Sequence, residues 1–134
     1  MLSHCCLKTH PSPSSRRVGL LSLVFLALTA SSLSAQVRIN EVHYHPASED
    51  IHEEYIELLN TGAAPVNLDG WRFSDGVDFT FTNVSIPAGG FLVVAADLVT
   101  FTNLHPTATN VVGNWTGRLS NSDEDIDLDH ATGA

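Results

Sequence analysis

Short segments in which apolar and polar residues alternate run along this chain, with tight-turn residues between them. In the clearest segment, Val77, Phe79 and Phe81 fall on one side, which is the period of two of a strand with one buried face. Asp69-Gly70 and Asp75-Gly76 supply turns in which glycine adopts a positive φ without strain. A chain patterned in this way is restricted to short strands joined by turns.

The pattern predicts an all-β sandwich of about seven to eight short strands, since no helical period of useful length follows residue 36. The apolar run Phe91–Ala96 predicts the central buried strand, and 97–109 is expected to be a loop or one helical turn. Trp71 and Phe79 are expected to be sealed between the two sheets. The predicted core consists of Ile39, Ile56, Leu58, Trp71, Phe79, Phe81 and Val93.

Residues 1–35 have the pattern of a signal peptide. Arg16-Arg17 form the positive region, Val18–Leu28 the apolar region and Ser32–Ala35 a small-residue cleavage site. The apolar run is shorter than the roughly 20 residues that span a bilayer, so we expect no membrane span after cleavage. The prediction is an exported protein that is secreted or held at the cell surface, through the general or the twin-arginine route, with its domain at 36–134.

The predicted domain 36–134 is strongly acidic. It holds three arginines and no lysine against fifteen acids, a formal charge of −12 with histidine neutral. Such a surface repels phosphate backbones, so the sequence predicts no nucleic-acid partner. The two cysteines, Cys5 and Cys6, lie in the signal segment, so no disulfide is expected in the domain.

The last residues read as a strand at 125–129 and a turn at 130–133. A turn without its returning strand leaves an open sheet edge. We therefore expect a C-terminally truncated domain whose closing strand is missing.

Six blocks resemble, in this order, the lamin tail domain family, and together they cover nearly all of 36–134. The blocks are Ile39–Tyr44, Glu54–Leu58 with Asn60, Val66–Trp71, Phe79–Phe81, Ile86–Val94 and Gly117–Asn121. The resemblance implies an immunoglobulin-like β-sandwich, and the export signal favours the bacterial secreted branch of the family. The resemblance implies a closing strand after the turn at Gly133, which we expect to be missing from this chain.

The family has no established catalytic residues, so the resemblance implies that the chain is not an enzyme and needs no cofactor. It implies an interaction or adhesion module of a secreted or cell-surface multidomain protein. Its expected partner is an extracellular or envelope protein or polysaccharide, bound through loops and sheet edges. Two alternatives remain: an accessory domain to a downstream catalytic domain, either a kinase-like one related to spore-coat protein H or a hydrolase, and a structural spacer in a surface array.

Two groups of side chains are weak metal candidates. His43 and His45 share one strand face, but their spacing fixes no third ligand, so a polar strand end is favoured. Asp123, Asp125 and Asp127 offer oxygen ligands for calcium. They lack the spacing and glycine of a calcium loop, so a solvated acidic strand is favoured.

Two further features allow a functional and a structural interpretation. Trp115 lies between glycines in a loop, where it suits either a sugar-stacking platform or the core. Glu41 and Glu57 lie in phase with apolar neighbours, Glu41 on the face of Val37 and Ile39. Two such carboxylates suit an acid–base pair, although hydrogen-bond acceptors at the sheet edge are favoured.

Overall fold

The computed structural model of the chain describes residues 36–131. The predicted signal peptide, residues 1–35, and Gly133 lie outside the described residues. No helix within 36–131 has the length and apolarity that a bilayer span requires. In chain order the elements are β1 (Val37–His43), a 3₁₀ turn (Ile51–Glu53), β2 (Tyr55–Asn60), β3 (Val66–Asn67), β4 (Arg72–Phe73), β5 (Val77–Thr80), β6 (Ser85–Ile86), β7 (Phe91–Ala95), α1 (Leu98–Leu104), β8 (Val111–Gly113), β9 (Thr116–Gly117) and β10 (Leu128–Asp129).

The strands form two four-stranded sheets, in the orders β1-β2-β7-β8 and β10-β4-β5-β9, and β3 pairs with β6. Only β7 and β8 pair in parallel among the described strands, and α1 supplies the crossover that a parallel pair requires. Buried side chains from both sheets and from the β3-β6 pair join in one main core. The fold is an all-β sandwich, as the sequence predicts.

Alternation places the core as expected in the two central strands of the first sheet. Ile56 and Leu58 of β2 are fully buried, while their neighbours on the strand are half-exposed. β7 is buried on both faces, which confirms the prediction from its continuous apolar run. Its Val94 faces the main core, whereas Val93 packs with Phe101 of α1 in a second, smaller cluster.

The prediction that Trp71 and Phe79 are sealed in the core is wrong. Both are half-buried and pack against the main core from its margin. The centre is occupied by Phe73 and Phe81, which are fully buried with ring centroids 5.5 Å apart. Trp71 precedes β4 in a turn, where its N–H bonds to the Leu68 carbonyl, so its ring does not follow the strand alternation.

A β-bulge in β1 changes which side chains face the core. Ile39 pairs with Leu58 and Glu41 with Glu57, which leaves Asn40 as an extra residue. The expectation that Glu41 shares the face of Ile39 is therefore wrong, and Ile39 itself is only half-buried on this edge strand.

Beyond the bulge, the inward phase passes to Val42, which packs against the main core. The bulge thus brings Val42, and with it Tyr44, to the side of β1 where a groove opens.

Residues 36–131 form ten strands where about seven to eight were expected. Five of the ten are only two residues long. Closely spaced turns, such as the one at Asp69-Gly70 with Gly70 at φ 78°, interrupt the pairing before longer ladders form.

Candidate functional site

An open groove of about 330 Å³ lies between the end of β1 and the loop that leads to β10. We call it the 119–126 groove. Apolar, hydroxyl and acidic side chains line it together: Val42, Tyr44, Leu119, Ser120, Ser122, Asp123, Glu124 and Ile126.

Local hydrogen bonds shape the loop that forms one wall of the groove. The Ser120 hydroxyl oxygen accepts from the N–H groups of Ser122 at 3.2 Å and Asp123 at 3.4 Å. The Glu124 carboxylate accepts from the Ser120 N–H at 2.7 Å. Serine and acidic side chains close turns in this way, so the wall is held by its own sequence.

Gly76 makes room for the far end of this loop. Its φ is 79°, and a Cβ there would lie 3.1 Å from Ile126 Cγ1 and 3.2 Å from the Asp125 carbonyl oxygen. The turn glycine that the sequence identifies therefore also allows the loop wall of the 119–126 groove to pack against the second sheet.

A buried carboxylate ties the groove to β2. Glu54 is 2 % exposed, and its Oε2 accepts from the Leu119 N–H at 3.0 Å. Burial raises the pKa of Glu54, and the charge of Glu124 raises it further. The Leu119 hydrogen bond, Arg118 and His43 act in the opposite direction.

Sequence reasoning missed Glu54 as a structural group. A signal was present, because Glu54 falls in phase with the buried Ile56 and Leu58, and an acid in a buried phase needs a hydrogen-bond partner. The partner itself, 65 residues away, is fixed only by the fold.

Trp115 does not offer its ring to solvent. It is 8 % exposed and belongs to the main core. Its buried Nε1 has no hydrogen-bond partner among the described residues. The structure therefore places Trp115 where the core interpretation expects it and not at a surface where sugars stack.

The weak metal candidates do not form a metal-binding group among the described residues. Within residues 36–131, no three His, Cys, Asp or Glu side chains gather closely enough to hold a metal ion. His43 stacks on Tyr55 at 5.0 Å, and His45 is exposed. Asp123 lines the 119–126 groove, whereas Asp125 is exposed and does not line it.

Asp127, the remaining candidate, is exposed, and its backbone carbonyl accepts from the Ser74 N–H at 3.1 Å.

An exposed pair elsewhere joins Asp50 to the His52 ring at 2.7 Å. The His52 backbone N–H lowers the pKa of Asp50, and the hydrogen bond with Asp50 raises the pKa of His52.

Glu41 and Glu57 face each other across β1 and β2, and both accept hydrogen bonds. Glu41 accepts from the Tyr55 hydroxyl at 2.8 Å, and Glu57 from Asn40 Nδ2 at 2.8 Å. Burial and the Glu41 hydrogen bond raise the pKa of Tyr55 to about 12. These contacts fit the favoured interpretation of both acids as acceptors on a strand surface.

Two four-stranded sheets packed around one core place the chain in the class of immunoglobulin-like sandwich domains. A family model, described as Lamin Tail Domain, matches residues 30–134. The chain therefore belongs to the lamin tail domain family, a family of non-catalytic domains. Comparison with curated proteins gives no match.

Proposed function

We propose that this chain is an exported, non-catalytic module that binds a protein or polysaccharide outside a bacterial cell. Family membership supports the non-catalytic part, and the signal pattern of residues 1–35 supports export. The observation that carries the binding role is the 119–126 groove, where apolar side chains and polar groups meet at an open surface.

Tyr44 is the natural contact residue of this groove. It lines the groove and is 48 % exposed, so a ligand there would cover an aromatic ring that is already half in water. Buried tyrosines at interfaces often carry a large share of the binding free energy. Loss of this ring is therefore the sharpest probe of the proposed role.

Tyr44→Ser is expected to weaken binding by about tenfold or more, because aromatic anchors contribute about 1–2 kcal/mol or more at interfaces. The purified chain would first be screened on arrays of extracellular proteins and envelope glycans, and the affinity of each hit measured by calorimetry. Phe91→Ser is the matched control, since Phe91 is 47 % exposed and lies outside the groove lining. An empty screen, or hits that lose equal affinity in both variants, would contradict a binding role at this groove.

Export has its own test. Expressed in a bacterial host, the chain is expected to appear outside the cytoplasm with Gln36 as its first residue, because Ser32–Ala35 forms the cleavage site. Intact-mass analysis of the extracellular and cytoplasmic fractions measures this directly. Replacing Arg16-Arg17 with lysines separates the routes, since the twin-arginine route alone requires the arginine pair. A full-length chain retained in the cytoplasm would refute export.

A further inference from the structure

The 119–126 groove combines an apolar lining with an acidic rim. Val42, Leu119 and Ile126 supply buried or half-buried apolar surface, and Tyr44 adds an exposed ring. The exposed carboxylates of Asp123 and Glu124 form the acidic rim of the same groove. A side chain with an aliphatic stem and a cationic head satisfies both parts at once.

The charge around the groove points the same way. None of the eight lining residues is basic. Among the described residues the cations other than histidine are three arginines, and Arg72 is engaged with Asp129 at 3.2 Å. Arg38 lies on β1, and the charge of Arg118 lowers the pKa of the buried Glu54. Neither arginine belongs to the groove lining.

The whole domain strengthens this local field, since residues 36–134 carry a formal charge of −12. Such a field accelerates encounter with positively charged partners and repels acidic ones. A second copy of this chain is therefore an unfavourable occupant, and a basic partner is a favourable one.

We infer that the 119–126 groove binds a lysine- or arginine-bearing segment of an extracellular protein. This inference rests on the binding role proposed above. The aliphatic stem of the basic residue lies along Val42 and Ile126, and its cationic head reaches Asp123 and Glu124. A neighbouring apolar residue of the partner packs on Tyr44. The rim gives selectivity for cations, while the apolar lining excludes water from the stem.

The test selects binders from a random heptapeptide library displayed on phage, with the purified chain as bait. We expect the enriched peptides to combine a lysine or arginine with an adjacent apolar residue. Synthetic copies in which acetyllysine or citrulline replaces the basic residue should lose about tenfold or more in affinity, and raised salt should weaken the parent peptides.

Two matched variants locate the site. Asp123→Asn is expected to weaken the basic peptides by about three- to tenfold, because it removes a rim charge that faces them. Asp125→Asn removes a charge of the same sign from a nearby exposed residue outside the lining, so it should change affinity by less than about twofold. Glu124→Gln tests the second rim charge and keeps an acceptor oxygen for the Ser120 N–H.

Several results would overturn the inference. They are enriched peptides that are neutral or acidic, equal effects of the two aspartate variants, or a chitosan tetrasaccharide that binds the groove more tightly than any basic peptide. Neutral or acidic peptides, or tighter binding of chitosan, reject the partner class and leave the proposed binding module standing. Equal effects of the two aspartate variants reject the 119–126 groove as the place where the basic peptide binds. If peptides, proteins and glycans all fail to bind, the proposed function fails with it.

Discussion

Asn60→Leu is expected to lower the free energy of unfolding by about 3–5 kcal/mol, because the Asn60 side chain is fully buried and both of its polar atoms are hydrogen-bonded. Its Nδ2 donates to the carbonyls of Ala64, Ile86 and Pro87 at 2.8, 3.1 and 3.0 Å, so two N–H groups serve three acceptors. Its Oδ1 accepts from the Gly62 N–H at 2.9 Å. Leucine fills a similar volume and leaves all four backbone groups without this partner.

Urea denaturation of the variant and the parent chain measures this loss, and a thermal melt should show a midpoint lower by roughly 20 °C for a domain of this size. Asn103→Leu is the control, because Asn103 is exposed on α1 and the same chemical change there should cost less than about 0.5 kcal/mol. Equal stability of the Asn60 and Asn103 variants would show that the four bonds do not hold the Asn60–Ala64 turn in place.

The sequence predicts a feature well when the feature depends on neighbours along the chain. Alternation in β2 and the continuous apolar run of β7 place Ile56, Leu58 and Val94 in the core, because a strand turns successive side chains to opposite faces. The same logic failed for Glu41, since the bulge at Asn40 adds a residue that no local pattern announces. It failed for Trp71 because a turn, and not a strand, sets the direction of that ring.

Most of the candidate site cannot be predicted from neighbouring residues in the sequence. The acids of the rim and the turn glycine Gly76 are visible in the sequence, and their types predict an exposed, polar loop. The groove arises only when that loop meets Val42 and Tyr44, about 80 residues earlier in the chain. The Asn60 network was likewise hidden, because its carbonyl partners Ile86 and Pro87 come from a distant turn.

Glu54 makes the free energy of unfolding depend on pH, and the direction of this dependence follows from the burial of its carboxylate. Burial raises the pKa of Glu54 above its ordinary value of 4.5, so the folded chain holds this proton more tightly than the unfolded chain. The stability that this group contributes is therefore fully present below the unfolded-state pKa. It is lost as pH rises through the higher folded-state pKa.

Glu54→Gln is therefore expected to stabilise the domain at neutral pH, with a gain that shrinks toward zero in acid. Glutamine carries no charge and keeps an acceptor oxygen for the Leu119 N–H, so it mimics the protonated acid at every pH. Urea denaturation of variant and parent from mildly acidic to neutral pH gives the difference in unfolding free energy, which cancels the titration of the other carboxylates.

Two companion variants separate the charge of Glu54 from its hydrogen bond. Glu54→Leu removes the acceptor and should be less stable than the glutamine variant by about 1–3 kcal/mol, because the buried Leu119 N–H loses its partner. Glu49→Gln, at an exposed position, should leave the pH profile of the parent chain unchanged within about 0.5 kcal/mol. A difference between the Glu54→Gln variant and the parent that stays flat, or falls as pH rises, would mean that the buried carboxylate does not oppose folding at neutral pH. Glu54 would then be a well-compensated anion, held by Leu119, Arg118 and His43.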